Sequence, residues 1–225
     1  MSHIIIAMIE VGYGHKGPAL AIKDALEAAF PGKHRIEVID FPRAAGALRT
    51  DASIKAAWNA ALQQPWMVRA SYALMEAVYP HSGSVLYPFI ADFYNRGSRY
   101  LATAKPDLFI STHPMCSMVA AAARRRYALK FPIIIDVVDP FDGYSLWAEQ
   151  SADLFLVHSQ QSRDLLIKHH IDERNIKLVP YPRLPAMQAP EKSPEELRQK
   201  YGLEKSDKPL LLVTSGAQGL GRAYS

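Results

Sequence analysis

Residues 4–30 read IIIAMIEVGYGHKGPALAIKDALEAAF. Ile4 to Ile9 form an unbroken apolar run, which predicts a strand buried on both faces. From Ala19 to Phe30 the apolar residues Leu20, Ala21, Leu26, Ala29 and Phe30 recur at helical spacing. Between the two lies a glycine turn, Gly12 to Pro18. Glycine permits positive φ and close approach of backbone to a ligand, and Pro18 suits a first helical turn. The start of a helix carries free N–H groups and a partial positive charge, so an anion is expected there. Strand, glycine turn and helix together form the opening unit of a parallel α/β sheet.

The same rhythm continues outward. Arg35 to Phe41, Leu108 to Ser111, Ile133 to Val138, Leu154 to His158 and Lys177 to Val179 predict five more strands. Met118 to Leu129 and Ser162 to His169 predict helices between them. The fold class is therefore α/β, a Rossmann-like parallel sheet with helices on both faces. Such sheets bind ligands at the carboxyl ends of their strands, so chemistry is sought just after each one.

Residues 42–104 interrupt the rhythm with a helical insertion holding no convincing strand. It is rich in aromatics, among them Trp58, Trp66, Tyr72, Tyr87, Phe89, Phe93 and Tyr100. They serve either as a helical layer on the sheet or, where they face outward, as a surface for lipid. Residues 1–185 thus form one domain. Residues 186–208 are polar and charged, as a linker with one short helix would be. From 209 to 225 a strand, Leu210 to Thr214, runs into a glycine loop containing Gly216 and Gly219. This is the expected start of a second, nucleotide-sugar domain, with the chain cut soon after it begins.

Composition narrows the function classes. The chain has 225 residues, 49% apolar and 21% charged, as an ordinary globular protein does. A single cysteine, Cys116, excludes an internal disulfide. No basic segment precedes a long apolar stretch at the N-terminus, and no apolar run approaches the length of a membrane span. The net charge of +4 favours anionic partners, although scattered surface cations account for it equally well. Arg124, Arg125 and Arg126 are expected to end a helix, where cations suit the dipole.

Three clusters carry candidate chemistry. His15 sits in the glycine turn, where a neutral imidazole could take a proton from a hydroxyl. Ser111, Thr112 and His113 end a strand, with Ser111 or Thr112 as the alternative cap of the next helix. Asp136, Asp139 and Asp142 follow another strand, with Tyr144 and Trp147 close behind. Paired acids can bind a cation or act as a base, but no further ligands are in reach, so no metal is expected. The turn also matches G-x-G-x-x-G, and Asp40 lies where a ribose-binding acid would. A dinucleotide reading is disfavoured because His15 and Lys16 fill the slots a pyrophosphate needs.

In order and spacing these segments resemble the family of monogalactosyldiacylglycerol synthases and processive diacylglycerol glucosyltransferases, which are similar in fold to the peptidoglycan transferase MurG. The matching pieces are Gly12 to Ala25, Pro106 to Pro114, the set Asp139, Trp147, Asp153 and Ser159, and Ile176 to Pro182. Departures occur at Val138 and Tyr144, where the family often carries Thr and His, and around Pro180 and Tyr181.

The resemblance implies the N-terminal half of a two-lobed GT-B glycosyltransferase that moves a hexose from a UDP-sugar to a diacylglycerol-type lipid. It implies His15 as catalytic base, with Gly12, Gly14, Thr112, His113, Asp139, Tyr144 and Trp147 around the acceptor. Gly216 and Gly219 would touch the donor. No cofactor and no nucleic acid are implied. The partners are the UDP-sugar, the lipid and an anionic membrane surface, with the protein peripheral on the cytoplasmic membrane face and this half inactive alone. Two alternatives stand beside it: an NAD(P)-dependent oxidoreductase using Gly12 to Gly17 and Asp40, and a non-enzymatic membrane-binding module.

Overall fold

The computed structural model describes residues 1–78, 87–141, 145–187, 192–203 and 209–211. Six strands, β1 (Ser2–Met8), β2 (His34–Asp40), β3 (Leu108–Ser111), β4 (Ile133–Asp136), β5 (Leu154–Val157) and β6 (Ile176–Leu178), form one sheet. Their order is β2-β1-β3-β4-β5-β6 and every pairing is parallel. From β1 the chain steps to one edge to make β2, then returns past β1 to make β3. The direction of winding therefore reverses between β1 and β3, which makes their carboxyl ends the switch point of the sheet.

The Rossmann-like sheet expected from the sequence is the one observed. Side chains alternate across it. Ile5 and Ala7 of β1, Phe109 of β3, Ile133 and Ile135 of β4, and Phe155 and Val157 of β5 point into one core. Ile4, Ile6, Met8, Ile110 and Ile134 point to the other face, where α1 (Lys16–Ala29) contributes Ala19, Ile22 and Leu26. Strand ends shift by a residue or two from expectation. Ile9 lies just past β1, and Phe41, expected to end β2, instead opens the short helix α2 (Phe41–Ala44) with Pro42 in its first turn. Proline fixes a helical φ and has no N–H to offer a strand.

Residues 41–104 hold four helices among the described residues: α2, α3 (Leu48–Gln63), α4 (Pro65–Val78) and α5 (Tyr87–Ala104). They divide into two kinds. α5 is a core helix, with Ile90, Phe93 and Leu101 buried. Phe41, Phe93 and Phe109 meet edge-on or tilted at centroid distances of 5.0 and 5.7 Å about Phe41, as aromatic rings prefer. α4 instead leaves Trp66, Met67 and Leu74 exposed, at 67%, 39% and 58%.

α6 (Pro114–Tyr127) packs against α5 and buries Ala120 to Ala123 against the sheet. Arg124 to Arg126 occupy its last turn, and Ala128 closes it with a left-handed φ of 51°. Arg124 does more than suit the dipole: it bonds Asp153 Oδ2 at 2.5 Å and the Ser151 carbonyl, pinning the start of β5. The β5-to-β6 crossover holds α7 (Gln160–Lys168), capped by Ser159. α8 (Pro194–Lys200) falls within residues 186–208, where one short helix was expected, and has a capping box between Ser193 and Glu196. Of the last expected strand, Leu210 and Leu211 are exposed and unpaired in the sheet. Its remainder and the loop with Gly216 and Gly219 lie outside the described residues.

Gly97 sets how closely α5 and α6 approach. A Cβ there would lie 2.6 Å from Val119 Cγ1 and 3.2 Å from Phe41 Cζ. Alanine favours helix by roughly 1 kcal/mol over glycine, but forcing a methyl into a packed core costs about 1–3 kcal/mol. Gly97→Ala is expected to lower the urea midpoint with an unchanged slope, and Val119→Ala in the same chain to recover part of the loss. A higher midpoint for Gly97→Ala alone would mean that the contact yields easily.

Candidate active site

The loops after β1 and β3 meet at the switch point. The Thr112 amide donates to the Ala7 carbonyl at 3.0 Å, carrying the β1–β3 ladder one residue past the strands. Two reciprocal bonds follow. The Thr112 hydroxyl donates to the His15 carbonyl at 2.9 Å, and His15 Nδ1 lies 2.6 Å from the Thr112 carbonyl oxygen. A carbonyl only accepts, so Nδ1 carries the ring proton and Nε2 keeps its lone pair. Gly12 makes the turn possible with a φ of +102°.

His15 packs on His113, with ring centroids 4.5 Å apart, and lies 6.3 Å from the Trp147 ring. His113 is buried and caps α6: its Nδ1 accepts the Met115 amide at 3.2 Å. This replaces Ser111 and Thr112 as the expected cap, because Ser111 Oγ is already spent on the His113 carbonyl at 2.8 Å. Burial holds the His113 pKa well below the usual histidine value, and the neighbouring His15 lowers it further. Burial also lowers the pKa of His15, with the Asp139 charge and the Thr112 carbonyl opposing. His15 is thus neutral at pH 7.

Asp139 and Trp147 belong to the connection from β4 to β5, which among its described residues carries a short 3₁₀ turn, Ser145–Trp147, and no α-helix. Trp147 is fully buried, and its indole N–H donates to Asp139 Oδ2 at 2.9 Å. Ser162 of α7 donates to the Asp139 carbonyl at 3.0 Å. From the other side, Glu76 of α4 accepts the Ser145 amide at 2.5 Å. The structure thus gathers His15, Thr112, His113, Asp139 and Trp147 into one group beside Gly12 and Gly14. Tyr144 lies outside the described residues. Among those described, no three His, Cys, Asp or Glu side chains gather as a cation site would need.

Beside the glycine turn lies a cleft of about 220 Å³, walled by Tyr13, Gly14 and Pro18 on one side and Tyr181, Pro182 and Leu184 on the other. The sequence noted Tyr181 only as a departure from a pattern. Its ring stands 4.9 Å from that of His158, which was expected only as the last residue of a strand and not as a site residue. His158 directly follows β5 as Thr112 directly follows β3, so the rule of looking just past each strand would have found it. Its Nε2 lies 3.0 Å from Asp136 Oδ1, and both side chains are 1% exposed.

The dinucleotide reading does not survive. Tyr13 lies across the start of α1 so closely that a Cβ on Gly17 would stand 2.9 Å from Tyr13 Cε1. The Gly17 amide is bonded to the Tyr13 carbonyl at 2.9 Å, the Ala19 amide is drawn to His15 at 3.4 Å, and Pro18 has no N–H. The expected anion site at this helix start has therefore lost most of its donors. Asp40 is not free for a ribose either: Lys55 holds it at 2.9 Å and its side chain is 10% exposed.

The family model described as monogalactosyldiacylglycerol (MGDG) synthase matches residues 15–182. A probable chloroplastic monogalactosyldiacylglycerol synthase of Glycine max is 23% identical over 97% of this chain and 41% of its own length. Monogalactosyldiacylglycerol synthase 1 of Arabidopsis thaliana is 22% identical over the same shares. The chain thus spans about two fifths of the curated relatives it matches. Among solved structures, Anabaena HepE in complex with UDP and glucose superposes with a TM-score of 0.49 at 16% identity, over 91% of this chain and 51% of HepE. The galactosyltransferase WaaB gives 0.46 at 15% identity, over 80% and 45%. With the family model covering most of its length, from the catalytic-loop candidate His15 through the cleft residue Pro182, this chain belongs to the monogalactosyldiacylglycerol synthase family.

Proposed function

We propose that the chain is the acceptor-side lobe of a glycosyltransferase that moves a hexose from a UDP-sugar onto the free hydroxyl of a diacylglycerol-type lipid. The observation that carries this reading is the fixed, neutral His15, with Nδ1 committed to the Thr112 carbonyl and Nε2 left as a base. The name of the family and of its relatives, monogalactosyldiacylglycerol synthase, supports a sugar transferred to a diacylglycerol-type lipid, and the UDP donor is part of the proposal.

In the reaction, His15 Nε2 takes the hydroxyl proton as the acceptor oxygen bonds to the anomeric carbon. The bond from that carbon to the diphosphate breaks, and its electron pair leaves with UDP. The Asp139 charge, which already draws the His15 pKa upward, stabilises the imidazolium that forms. Trp147 keeps that carboxylate in place. Thr112 and His113 fix the ring, while Gly12 and Gly14 let the acceptor approach the backbone. Tyr144 is assigned to the same acceptor site. The donor side, including Gly216 and Gly219, is assigned to the sequence after residue 208, so residues 1–208 alone are inactive.

The exposed stripe of α4, with Phe89 exposed at the start of α5, is assigned to the membrane surface. Trp66, Met67 and Leu74 fall within about a third of a turn of one another, which suits an interfacial helix. No helix among the described residues is long and apolar enough to cross a membrane. The location proposed with this reading is peripheral, on the cytoplasmic membrane face.

His15→Ala in the full-length protein is expected to lower transfer of labelled sugar to diacylglycerol by about 10²–10⁴-fold, the range of general-base catalysis. Because His15 acts as the neutral form and its pKa is lowered, the acid limb of kcat/KM should fall below 6.5. Unchanged turnover in the variant would remove His15 from the role. Sedimentation with liposomes tests the membrane assignment: binding should need anionic lipid, weaken with salt, and drop in a Trp66→Ser, Leu74→Ser, Phe89→Ser triple variant. Equal binding by that variant would move the contact elsewhere.

A further inference from the structure

The buried Asp136–His158 pair plays no part in the proton transfer described above. Removing two ionisable groups from water is costly, and an apolar pair would often stabilise a core as well. The geometry suggests what the pair does instead. His158 Nε2 meets Asp136 Oδ1 at 3.0 Å and Nδ1 faces the Val179 carbonyl at 3.2 Å. Both partners accept, so both ring nitrogens donate and the imidazole is charged, with no freedom to turn. Burial by itself would lower its pKa, but the Asp136 carboxylate and the carbonyls of Val179 and Pro180 outweigh that and raise it. Asp136 Oδ2 is buried without a partner, so His158 is the side chain on which this carboxylate's bonding is spent.

The segment after β6 needs such a hold. Its last ladder bond is from the Val179 amide to the Val157 carbonyl, at 2.9 Å. Beyond it come Pro180, Pro182 and Pro185, which have no N–H to pair. Yet this segment supplies one wall of the cleft, and Tyr181 stands on the His158 ring. Burial and the charges of Asp136 and Asp139 push the Tyr181 phenol up to about 12, so it stays a neutral donor beside the site.

We propose that Asp136 and His158 are positioning residues which fix the segment after β6, and with it Tyr181, as the wall of the acceptor cleft opposite the glycine turn. The proposal rests on the reading of that cleft as the acceptor site. Ionisable groups around the pair are Tyr181 from the wall and Asp139 from the connection after β4. The pair sets how tightly the acceptor is held and leaves the chemistry to His15.

The test is steady-state kinetics of the full-length protein with diacylglycerol and a UDP-sugar. His158→Ala is expected to raise the acceptor KM by about tenfold, the scale of one lost wall contact, with kcat and the donor KM nearly unchanged. Tyr181→Ala should do the same, and the double variant should be no worse than either single one, because both remove one wall. Asp136→Asn with His158→Gln, which restores a neutral hydrogen bond, should recover most of the loss and serves if His158→Ala fails to fold. Additive losses, or a fall in kcat at constant KM, would overturn the proposal.

A second readout needs no activity. In spectra of the ¹⁵N-histidine-labelled protein, His158 should carry protons on both nitrogens at pH 7, and Tyr181 should show contacts to the His158 ring that vanish in Asp136→Asn. If those contacts hold but the wild type transfers no sugar to lipid, the wall is confirmed and the substrate reading is what fails. If they are missing in the wild type, the wall itself is disproved.

Discussion

Two hydrogen bonds between His15 and Thr112 tie the loop after β1 to the loop after β3, and the rest of the site is arranged around them. They exist because the sheet order brings these two strands side by side at the point where its winding reverses. The Thr112 amide extends the ladder by one rung, which sets its carbonyl against the His15 ring. That carbonyl then decides the tautomer. The adjoining His113 has the opposite one, since its Nδ1 receives the Met115 amide. Two imidazoles in contact are thereby held in complementary states by backbone groups alone, which no side-chain substitution removes directly.

The helical arm is attached to this arrangement at a definite place. Glu76, near the end of α4, accepts the Ser145 amide and reaches His169 Nε2 at 3.3 Å. The helix assigned to the lipid surface is thus bonded to the turn that carries Trp147, and Trp147 is bonded to Asp139. α5 lies beneath as ordinary core, held by Gly97 against α6. One stretch of sequence with many aromatics therefore divides by burial into an exposed helix, proposed for the lipid surface, and a core helix.

Much of the fold was legible because it is written in local pattern. Apolar runs gave β1, β3, β4 and β5, shorter apolar stretches mixed with charged residues gave β2 and β6, and helical spacing gave α1, α6 and α7. Errors fell where one residue serves two elements. Phe41 has strand propensity but is followed by a proline that starts a helix, and α6 begins at Pro114, well before its apolar pattern is visible, because His113 caps it. Within the site, His15 and Thr112 were visible as polar residues at strand ends. Their bond was not, since 97 residues separate them. Asp136 was seen only as one of three acids, and its partner His158 lies 22 residues on. Tyr13 lying over Gly17 was invisible too, because a glycine motif says nothing of what covers it.

The charge states of these histidines bear on how the protein tolerates acid and alkali. His15 and His113 have pKa values lowered from 6.5, so the folded state binds fewer protons than the unfolded one below that pH. Their contribution is complete above 6.5 and is lost as pH falls through the lowered values. His158, with its pKa raised from 6.5, contributes fully below that pH and loses its contribution as pH rises through the raised value. The three together make the carboxyl end of the sheet most resistant to unfolding near pH 6.5. Protonation of His15 and His113 in acid acts on the ends of β1 and β3, and deprotonation of His158 in alkali acts on the ends of β4 and β5.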